Sequence, residues 1–388
     1  MKPKVVCVIG TRPEAIKMAP VVLGLRQKVP GIDVRVLAAG QHRGLLARAL
    51  DDFGIVADLD LALMRPDQTL TDLTARALVA LAAVFERQRP DLVLGQGDTT
   101  TVLCTALACY YNRVPFGHVE AGLRTGRPYE PFPEEKNRVL AGHLAALHFA
   151  PTASSRRNLL SEGIDPSTIH VTGNTVIDAL VMTARANLAL PLTPATDRFL
   201  LVTAHRRENL GAPLVAICQG LRDLIDRRPE LSVVYPVHPN PGVRETVADL
   251  LGGLDRIHLI DPVGYREFVA LMQRAFLILT DSGGVQEEAP ALGKPVLVLR
   301  DETERPEALA SGTVRLIGPR REAIVRAVED FCDRPEAAEG FARAVNPYGD
   351  GRASERIARV LAERFGLDPG PLPDGFRQHW DYSEQQNA

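Results

Sequence analysis

The chain has 388 residues, of which 45% are apolar and 24% are charged, and its formal net charge is −3. This composition is typical of a globular protein with two or three domains, and the absence of a basic excess argues against nucleic-acid binding. No stretch approaches the roughly 18 apolar residues of a membrane span, and the first strand begins too early for a signal peptide, so we expect a cytoplasmic protein. The five cysteines form no metal or redox spacing, and we expect buried free thiols.

Strand and helix patterns alternate along most of the chain, which is typical of parallel sheets covered by helices on both faces. The predicted strands are residues 4–9, 33–39, 91–95, 115–119 and 147–150 in the first half, and 199–203, 231–237, 257–260, 276–280, 295–299 and 313–317 in the second. We therefore expect two doubly wound Rossmann-like domains, residues 1–173 and 174–350, facing a central cleft onto which the carboxyl ends of the strands open. Residues 367–388 are polar and predict a poorly packed tail.

The first strand ends in Gly10-Thr-Arg12-Pro-Glu-Ala-Ile-Lys17, a strand-to-helix turn. Positive charge is unfavourable at the start of a helix, so Arg12 and Lys17 indicate an anionic ligand more than a solvated helix start. The motif is not GxGxxG, which disfavours a nicotinamide site.

Three acids follow later strands of the first half. Asp98, which follows Gly95 and Gly97, is either the N-cap of the next helix or a ligand contact. Glu120 lies in a compact loop, and Glu134 is either a first-turn acid favoured by the helix dipole or a site residue. Placed around one pocket, the three carboxylates would raise one another's pKa values, as acid–base catalysis needs.

The second half carries candidate anion contacts after its strands. His205-Arg206-Arg207 suits a diphosphate, and Arg305 is a further candidate ligand contact. His238 lies in a rigid proline-rich turn without an obvious partner. No His, Cys or Asp cluster has metal-site spacing, so no metal or other cofactor is predicted.

The most informative turn is Asp281-Ser-Gly283-Gly284, which follows an apolar strand and opens a helix. Two glycines allow close approach of a ligand, and a helix N-terminus favours an anion. Two acids follow: helix stability is the reading retained for Glu287, whereas for Glu288 we favour a contact with ribose hydroxyls.

With these motifs assembled, the chain resembles the non-hydrolysing UDP-N-acetylglucosamine 2-epimerases from about Lys4 to Phe365. The resemblance rests on eight motifs in order: GTRPEAIKMAP, QGDTTT, GHVEAGLRTG, PFPEEKNR, TGNTVID, HRREN, TDSGGVQEEAP and LRDETERPEA. It implies the GT-B fold, in which a C-terminal helix, here about residues 351–366, packs back on the first domain. It also implies a homodimer.

The resemblance implies roles for individual residues. Ser282, Gly283 and Gly284 would hold the diphosphate, and Glu288 the ribose. Arg12, His205 and Arg305 would also face the UDP, and Phe268 would lie near the uracil. Lys17, Asp98, Glu120 and Glu134 would line the sugar side. The resemblance further implies catalytic roles for Asp98, Glu120, Glu134 and His205.

The reaction that the resemblance implies is reversible epimerisation at C2 of UDP-N-acetylglucosamine, through elimination of UDP to 2-acetamidoglucal and its re-addition. Alternatives are a hydrolysing epimerase that releases N-acetylmannosamine and UDP, a GT-B glycosyltransferase, and a non-catalytic nucleotide-sugar-binding regulator. Intact Asp98, Glu120 and Glu134 argue against the last.

Many bacterial members of the family are activated by a second substrate molecule. Gln41, His42, Arg206 and His238 fit that second, allosteric site. Gly44 and Asp67, however, stand where the family pattern has glutamine and arginine, and Val263 replaces an expected glutamine near the uracil. The sequence therefore predicts weakened or altered self-activation.

Overall fold

The structure is a computed structural model that describes residues 2–40, 43–65, 67–186, 188–303, 305–334, 336, 340–341 and 344–381, with the backbone alone at 43 and 45. It divides into two compact units. Unit 1 comprises Met1–Met182 and Tyr348–Ala388, and unit 2 comprises Thr183–Pro347.

Unit 1 is built on a parallel sheet with the order β3-β2-β1-β4-β5-β6-β7 in the described part of the chain. Its strands are β1 (Lys4–Ile9), β2 (Asp33–Ala38), β3 (Leu59–Asp60), β4 (Leu92–Gln96), β5 (Phe116–Val119), β6 (Leu147–Ala150) and β7 (Ile169–Val171). Its helices are α1 (Arg12–Lys28), α2 (Arg43–Asp51), α3 (Leu70–Gln88), α4 (Thr100–Tyr111), α5 (Glu134–Leu144), α6 (Ala153–Ser161), α7 (Thr175–Ala184) and the C-terminal α14 (Ala353–Arg364).

Unit 2 repeats this order as β10-β9-β8-β11-β12-β13 over its described residues. Its strands are β8 (Arg198–Thr203), β9 (Leu231–Pro236), β10 (Ile257–Ile260), β11 (Leu277–Thr280), β12 (Val296–Val298) and β13 (Val314–Leu316). Its helices are α8 (Ala212–Arg227), α9 (Pro241–Leu251), α10 (Tyr265–Arg274), α11 (Gly283–Glu288), α12 (Pro306–Ala310) and α13 (Arg321–Asp333). In both units the first six strands follow the Rossmann order 3-2-1-4-5-6, so the expected fold class is confirmed.

Apolar burial on both faces explains why these strands pair in parallel. β1 is buried at five consecutive positions, and its alternate side chains enter two different apolar clusters on opposite faces of the sheet. Threonines then begin the helices that follow. Thr69 and Asp72 form a capping box on α3, and Thr99 caps α4 by accepting a hydrogen bond from the Val102 N–H.

The units do not divide where the sequence pattern suggested. The chain passes into unit 2 after Met182, near the end of α7, rather than after residue 173, and it returns at Tyr348. Part of the expected tail is packed: Trp380 is only 2% exposed, and its N–H donates to the Val171 carbonyl at the end of β7. The prediction of a poorly packed tail is therefore wrong at Trp380, whose ring, like that of Phe376, also lies against the Arg356 guanidinium.

No helix within the described ranges is long and apolar enough to cross a membrane.

Candidate functional site

Glu120 lies at the end of β5 in a left-handed backbone conformation, with φ at 63°. Its carboxylate is buried and accepts hydrogen bonds from the Lys17 ammonium at 2.7 and 2.8 Å. The side-chain amides of Gln96, at the end of β4, and Asn174, just before α7, also donate to it. Side chains from α1, from the end of β4 and from the segment between β7 and α7 thus converge on a single carboxylate.

Asp98 lies two residues before α4 and pairs with Arg138 of α5 at 2.8 Å. Burial raises the pKa of Asp98, and the nearby charges of Glu120 and Glu134 act in the same direction, whereas Arg138 and Lys17 oppose them. The structure therefore brings together Lys17, Asp98, Glu120 and Glu134, the four residues expected on the sugar side.

The first turn of α1 contains a carboxylic acid that the sequence did not single out. Glu14 is 2% exposed, and its Oε2 accepts the Gly10 N–H at 2.6 Å, while its Oε1 has no hydrogen-bond partner in the described part of the chain. Burial raises its pKa to about 7. Arg12 is exposed in the first turn of α1, so its contact with UDP stays a prediction.

In unit 2, Asp281 organises the turn that follows β8. Its buried carboxylate accepts the backbone N–H groups of His205 and Arg206 at 2.8 Å and the Asn209 side-chain amide at 2.9 Å. Asp281 belongs to the glycine turn, but the sequence indicated no role for it. No local signal marks it, because its partners lie more than 70 residues away.

The glycine turn opens α11, with Ser282 at the N-cap. A methyl group built on Gly283 would lie 3.6 Å from the Arg305 guanidinium and 3.7 Å from that of Arg206. Two cations therefore lie beside a pair of glycines, an arrangement that fits a diphosphate.

The two acids of α11 have different partners. Glu287 is buried and pairs with Arg305, so the expectation that it serves only helix stability is wrong. Glu288 accepts the Tyr265 hydroxyl at 3.0 Å, and burial together with that carboxylate raises the pKa of Tyr265. Tyr265 and Phe268 both belong to α10, and Phe268 is half-buried; a uracil contact there stays a prediction.

His205 stacks on His238, with ring centroids 5.0 Å apart and an interplanar angle of 10°. His238, for which the sequence indicated no partner, thus has one. Burial lowers the pKa of His205, and the Asp281 charge opposes this effect. Arg206 and His238 lie in the same region, whereas Gln41 and His42, also expected at the second site, lie outside the described residues.

Among the described residues, no group of three His, Cys, Asp or Glu side chains could hold a metal ion. The cysteines are free thiols: Cys332 is half-buried, and the others, Cys7, Cys104, Cys109 and Cys218, are buried.

Two Rossmann-like units place the protein in the GT-B fold class, which fits a carboxylate cluster in one unit and a cation-flanked glycine turn in the other. Comparison with known proteins then identifies the family. Residues 25–362 match the family model described as UDP-N-acetylglucosamine 2-epimerase, and the chain belongs to this family.

Individual relatives agree with this assignment. A UDP-N-acetylglucosamine 2-epimerase of Escherichia coli strain K12 is 51% identical over 369 residues, covering 92% of this chain and 98% of the relative. A UDP-N-acetylglucosamine 2-epimerase of Bacillus subtilis strain 168 is 49% identical over 377 residues, covering 97% of this chain and 99% of the relative. In the crystal structure of the Neisseria meningitidis UDP-GlcNAc 2-epimerase bound to UDP-GlcNAc, the chain is 46% identical in sequence. The match covers 93% of this chain and 100% of that chain, with a TM-score of 0.83.

Proposed function

We propose that the protein interconverts UDP-N-acetylglucosamine and UDP-N-acetylmannosamine by epimerisation at C2, without net hydrolysis. The observation that carries the proposal is the buried Glu120 carboxylate, which lies on a strained turn and is paired with the Lys17 ammonium. The chain's membership of this family supports the same proposal. Asp98, whose pKa burial raises, and Glu134 lie within electrostatic reach of it.

The C2 proton has no adjacent carbonyl group, so direct deprotonation and reprotonation would be difficult. In the proposed route a base removes the C2 proton, and the electrons of the C–H bond form a C1–C2 double bond. The C1–O bond breaks, and UDP leaves with that electron pair, giving 2-acetamidoglucal. Addition of UDP back to C1, with protonation of C2 on its opposite face, completes the inversion.

Unit 1 supplies three carboxyl groups for proton transfer in this proposal, and unit 2 supplies the His205 imidazole. Lys17 stabilises the Glu120 carboxylate, whereas Asp98 more readily holds a proton because burial disfavours its charged form. Carboxyl groups with different proton affinities suit a reaction that removes a proton on one face and delivers one on the other. Glu134 and His205 complete the proposed catalytic set.

Unit 2 supplies the nucleotide contacts. The Ser282–Gly284 turn lets the backbone approach the diphosphate closely, and Arg305 beside it stabilises the charge that develops on the leaving group. The Glu288 carboxylate, positioned by the Tyr265 hydroxyl, accepts from the ribose hydroxyls, and Phe268 lies against the uracil.

The test is incubation of the protein with UDP-N-acetylglucosamine in heavy water, with NMR observation of C2 and of the released species. Deuterium at C2 of UDP-N-acetylmannosamine is the expected result. Free N-acetylmannosamine with UDP would indicate a hydrolysing enzyme. Turnover only with an added acceptor would indicate a glycosyltransferase, and no turnover under any condition would indicate a binding protein.

The role of Glu120 is tested by Glu120→Gln, in which the amide keeps the size of the side chain but is a far weaker base. We expect this variant to bind UDP with unchanged affinity in calorimetry and to lose turnover by roughly a hundredfold or more. Unimpaired turnover would remove Glu120 from the mechanism.

We also propose that the protein is a homodimer. Val79 of α3 is 71% exposed and Tyr110 of α4 is 65% exposed, and α3 and α4 pack against each other. Exposed apolar side chains on adjoining helices favour a protein–protein contact. Light scattering at micromolar concentration tests this: a mass near twice 42.2 kDa is expected, and a monomer would contradict the proposal.

A further inference from the structure

Asp281 uses its two carboxylate oxygens unequally. The side chain is 0% exposed at the end of β11, and Oδ2 alone accepts all three hydrogen bonds that fix the His205–Asn209 turn. Oδ1 has no hydrogen-bond partner in the described part of the chain. A buried carboxylate oxygen without a donor costs free energy, so a second role is needed to explain why an acid stands here.

The group that faces the unused oxygen is the imidazole of His205, with Nδ1 3.8 Å from Oδ1. This separation is too long for a hydrogen bond. Hydrogen bonds between catalytic groups are often long before substrate binds and shorten in the complex. A hydrogen atom on Nδ1 would point toward the carboxylate and leave the Nε2 lone pair available for proton transfer.

The neighbouring histidine has its own tautomer set by the backbone. The Asn240 N–H donates to Nδ1 of His238 at 3.2 Å, which places the hydrogen of the neutral ring on Nε2. The charged and titratable groups around His205 are thus Asp281, His238 stacked on its face, and Arg206. Asp281 is the anion among them. The hydroxyl of Tyr235, which is within electrostatic reach of Asp281, donates to the Ala204 carbonyl.

We propose that Asp281 is the positioning residue of His205, holding the turn after β8 through Oδ2 and orienting the imidazole through Oδ1. This inference rests on the catalytic role proposed for His205. It explains both why a fully buried acid stands here and why its two oxygens are used unequally. Opposite charges at this separation favour the imidazolium, and the Asp281 carboxylate accordingly raises the pKa of His205 against the effect of burial.

The first test uses the unaltered full-length protein without substrate. Nitrogen-15 NMR of the imidazole side chains, with His205 assigned by its loss in His205→Gln, reports which ring nitrogen carries the hydrogen. Nδ1–H is expected for His205. Nε2–H would overturn the proposal, and this result does not depend on any variant at 281 folding.

The second test is Asp281→Asn. Its amide oxygen replaces Oδ2 for the three donors, and its NH2 group faces His205 in place of Oδ1. We expect the pKa of His205 to fall by about one unit and its hydrogen to move to Nε2. Asp223→Asn, which removes the charge of a half-buried partner of Arg321 elsewhere in unit 2, is the matched control and should leave His205 unchanged.

Turnover separates this inference from the proposed function. Asp281→Asn should lower kcat by roughly tenfold or more with a smaller change in KM, and should shift the acid limb of the kcat–pH profile downward with the pKa of His205. An unchanged pKa and tautomer in Asp281→Asn would overturn the positioning role. NMR results as expected in a protein without epimerase activity would instead leave the positioning intact and refute the proposed function.

Discussion

At the residue scale, Glu120 combines strain with burial. A glutamate with φ at 63° occupies a backbone region that costs of order 1–3 kcal/mol for most residues. The conformation persists because Lys17, Gln96 and Asn174 all bond the carboxylate that it presents. Backbone strain that is maintained by contacts from several elements is typical of functional sites.

Glu14 predicts a pH dependence of stability. Burial raises its pKa from an ordinary 4.5 to about 7, so the folded protein keeps a proton that the unfolded chain has lost between these values. The free energy of unfolding of unit 1 should therefore fall by up to about 3 kcal/mol as pH rises from about 4.5 to 7. Glu14→Gln cannot ionise and should remove this decline.

Denaturant unfolding at pH 5 and pH 8 measures the effect. Trp380, the single tryptophan of the chain, is buried in unit 1 and its fluorescence reports the unfolding of that unit. Glu355→Gln, which alters a glutamate paired with the more exposed Lys28, is the control. Parallel pH dependences of Glu14→Gln and the wild-type protein would contradict the prediction.

At the scale of elements, α14 is fixed to unit 1 by its first turn. Asp178 of α7 accepts the N–H groups of Ala353 and Ser354 at 3.0 and 2.7 Å and the Ser354 hydroxyl at 2.6 Å. One carboxylate thus satisfies two backbone donors that a helix N-terminus leaves unpaired. Because α7 and α14 lie where the chain leaves and re-enters unit 1, this contact closes the unit.

Asp178→Ala should therefore destabilise the C-terminal segment. The change leaves buried donors without an acceptor and should cost about 2–3 kcal/mol. Hydrogen exchange should accelerate first at residues 353–364. Asp165→Ala, which removes an exposed cap at Ser167, should cost under about 1 kcal/mol and serves as the control. Unchanged exchange in α14 would show that the cap does not hold the helix.

At the scale of the whole molecule, we expect this protein to show weaker activation by its own substrate than the resemblance to the family implies. Gly44 and Asp67 are both exposed in unit 1. Neither residue has the long polar side chain of the glutamine and arginine that the family pattern has at these positions. Initial rates with UDP-N-acetylmannosamine alone should be measurable, and the response to UDP-N-acetylglucosamine should be weakly cooperative. Strong cooperativity with almost no turnover of the reverse substrate alone would contradict this expectation.

The double variant Gly44→Gln with Asp67→Arg tests the same point in the opposite direction. Apart from its chain neighbours and the backbone of its own helix, no atom of the described residues lies within 4 Å of a methyl group built on Gly44, so these residues leave space for a larger side chain. We expect this variant to show greater cooperativity than the wild-type protein.

Much of the fold followed from local pattern. Alternating apolar strands and helices predicted two Rossmann-like units, and the glycine turns predicted where ligands approach. The short strands β3 and β7 were missed, because two or three residues carry too little periodicity to recognise. The division after Met182 was missed because α7 belongs to unit 1 through packing rather than through any composition change.

The sequence by itself determined which residue types the site has: Lys17, Asp98, Glu120 and Glu134 in one unit, and Ser282–Gly284 with Arg305 in the other. Only the tertiary structure decided their partners. Asn174 reaches Glu120 across 54 residues, and Asp281 holds a turn more than 70 residues earlier. Such contacts depend on which strands become neighbours in a sheet and in what register, and no local pattern encodes that choice.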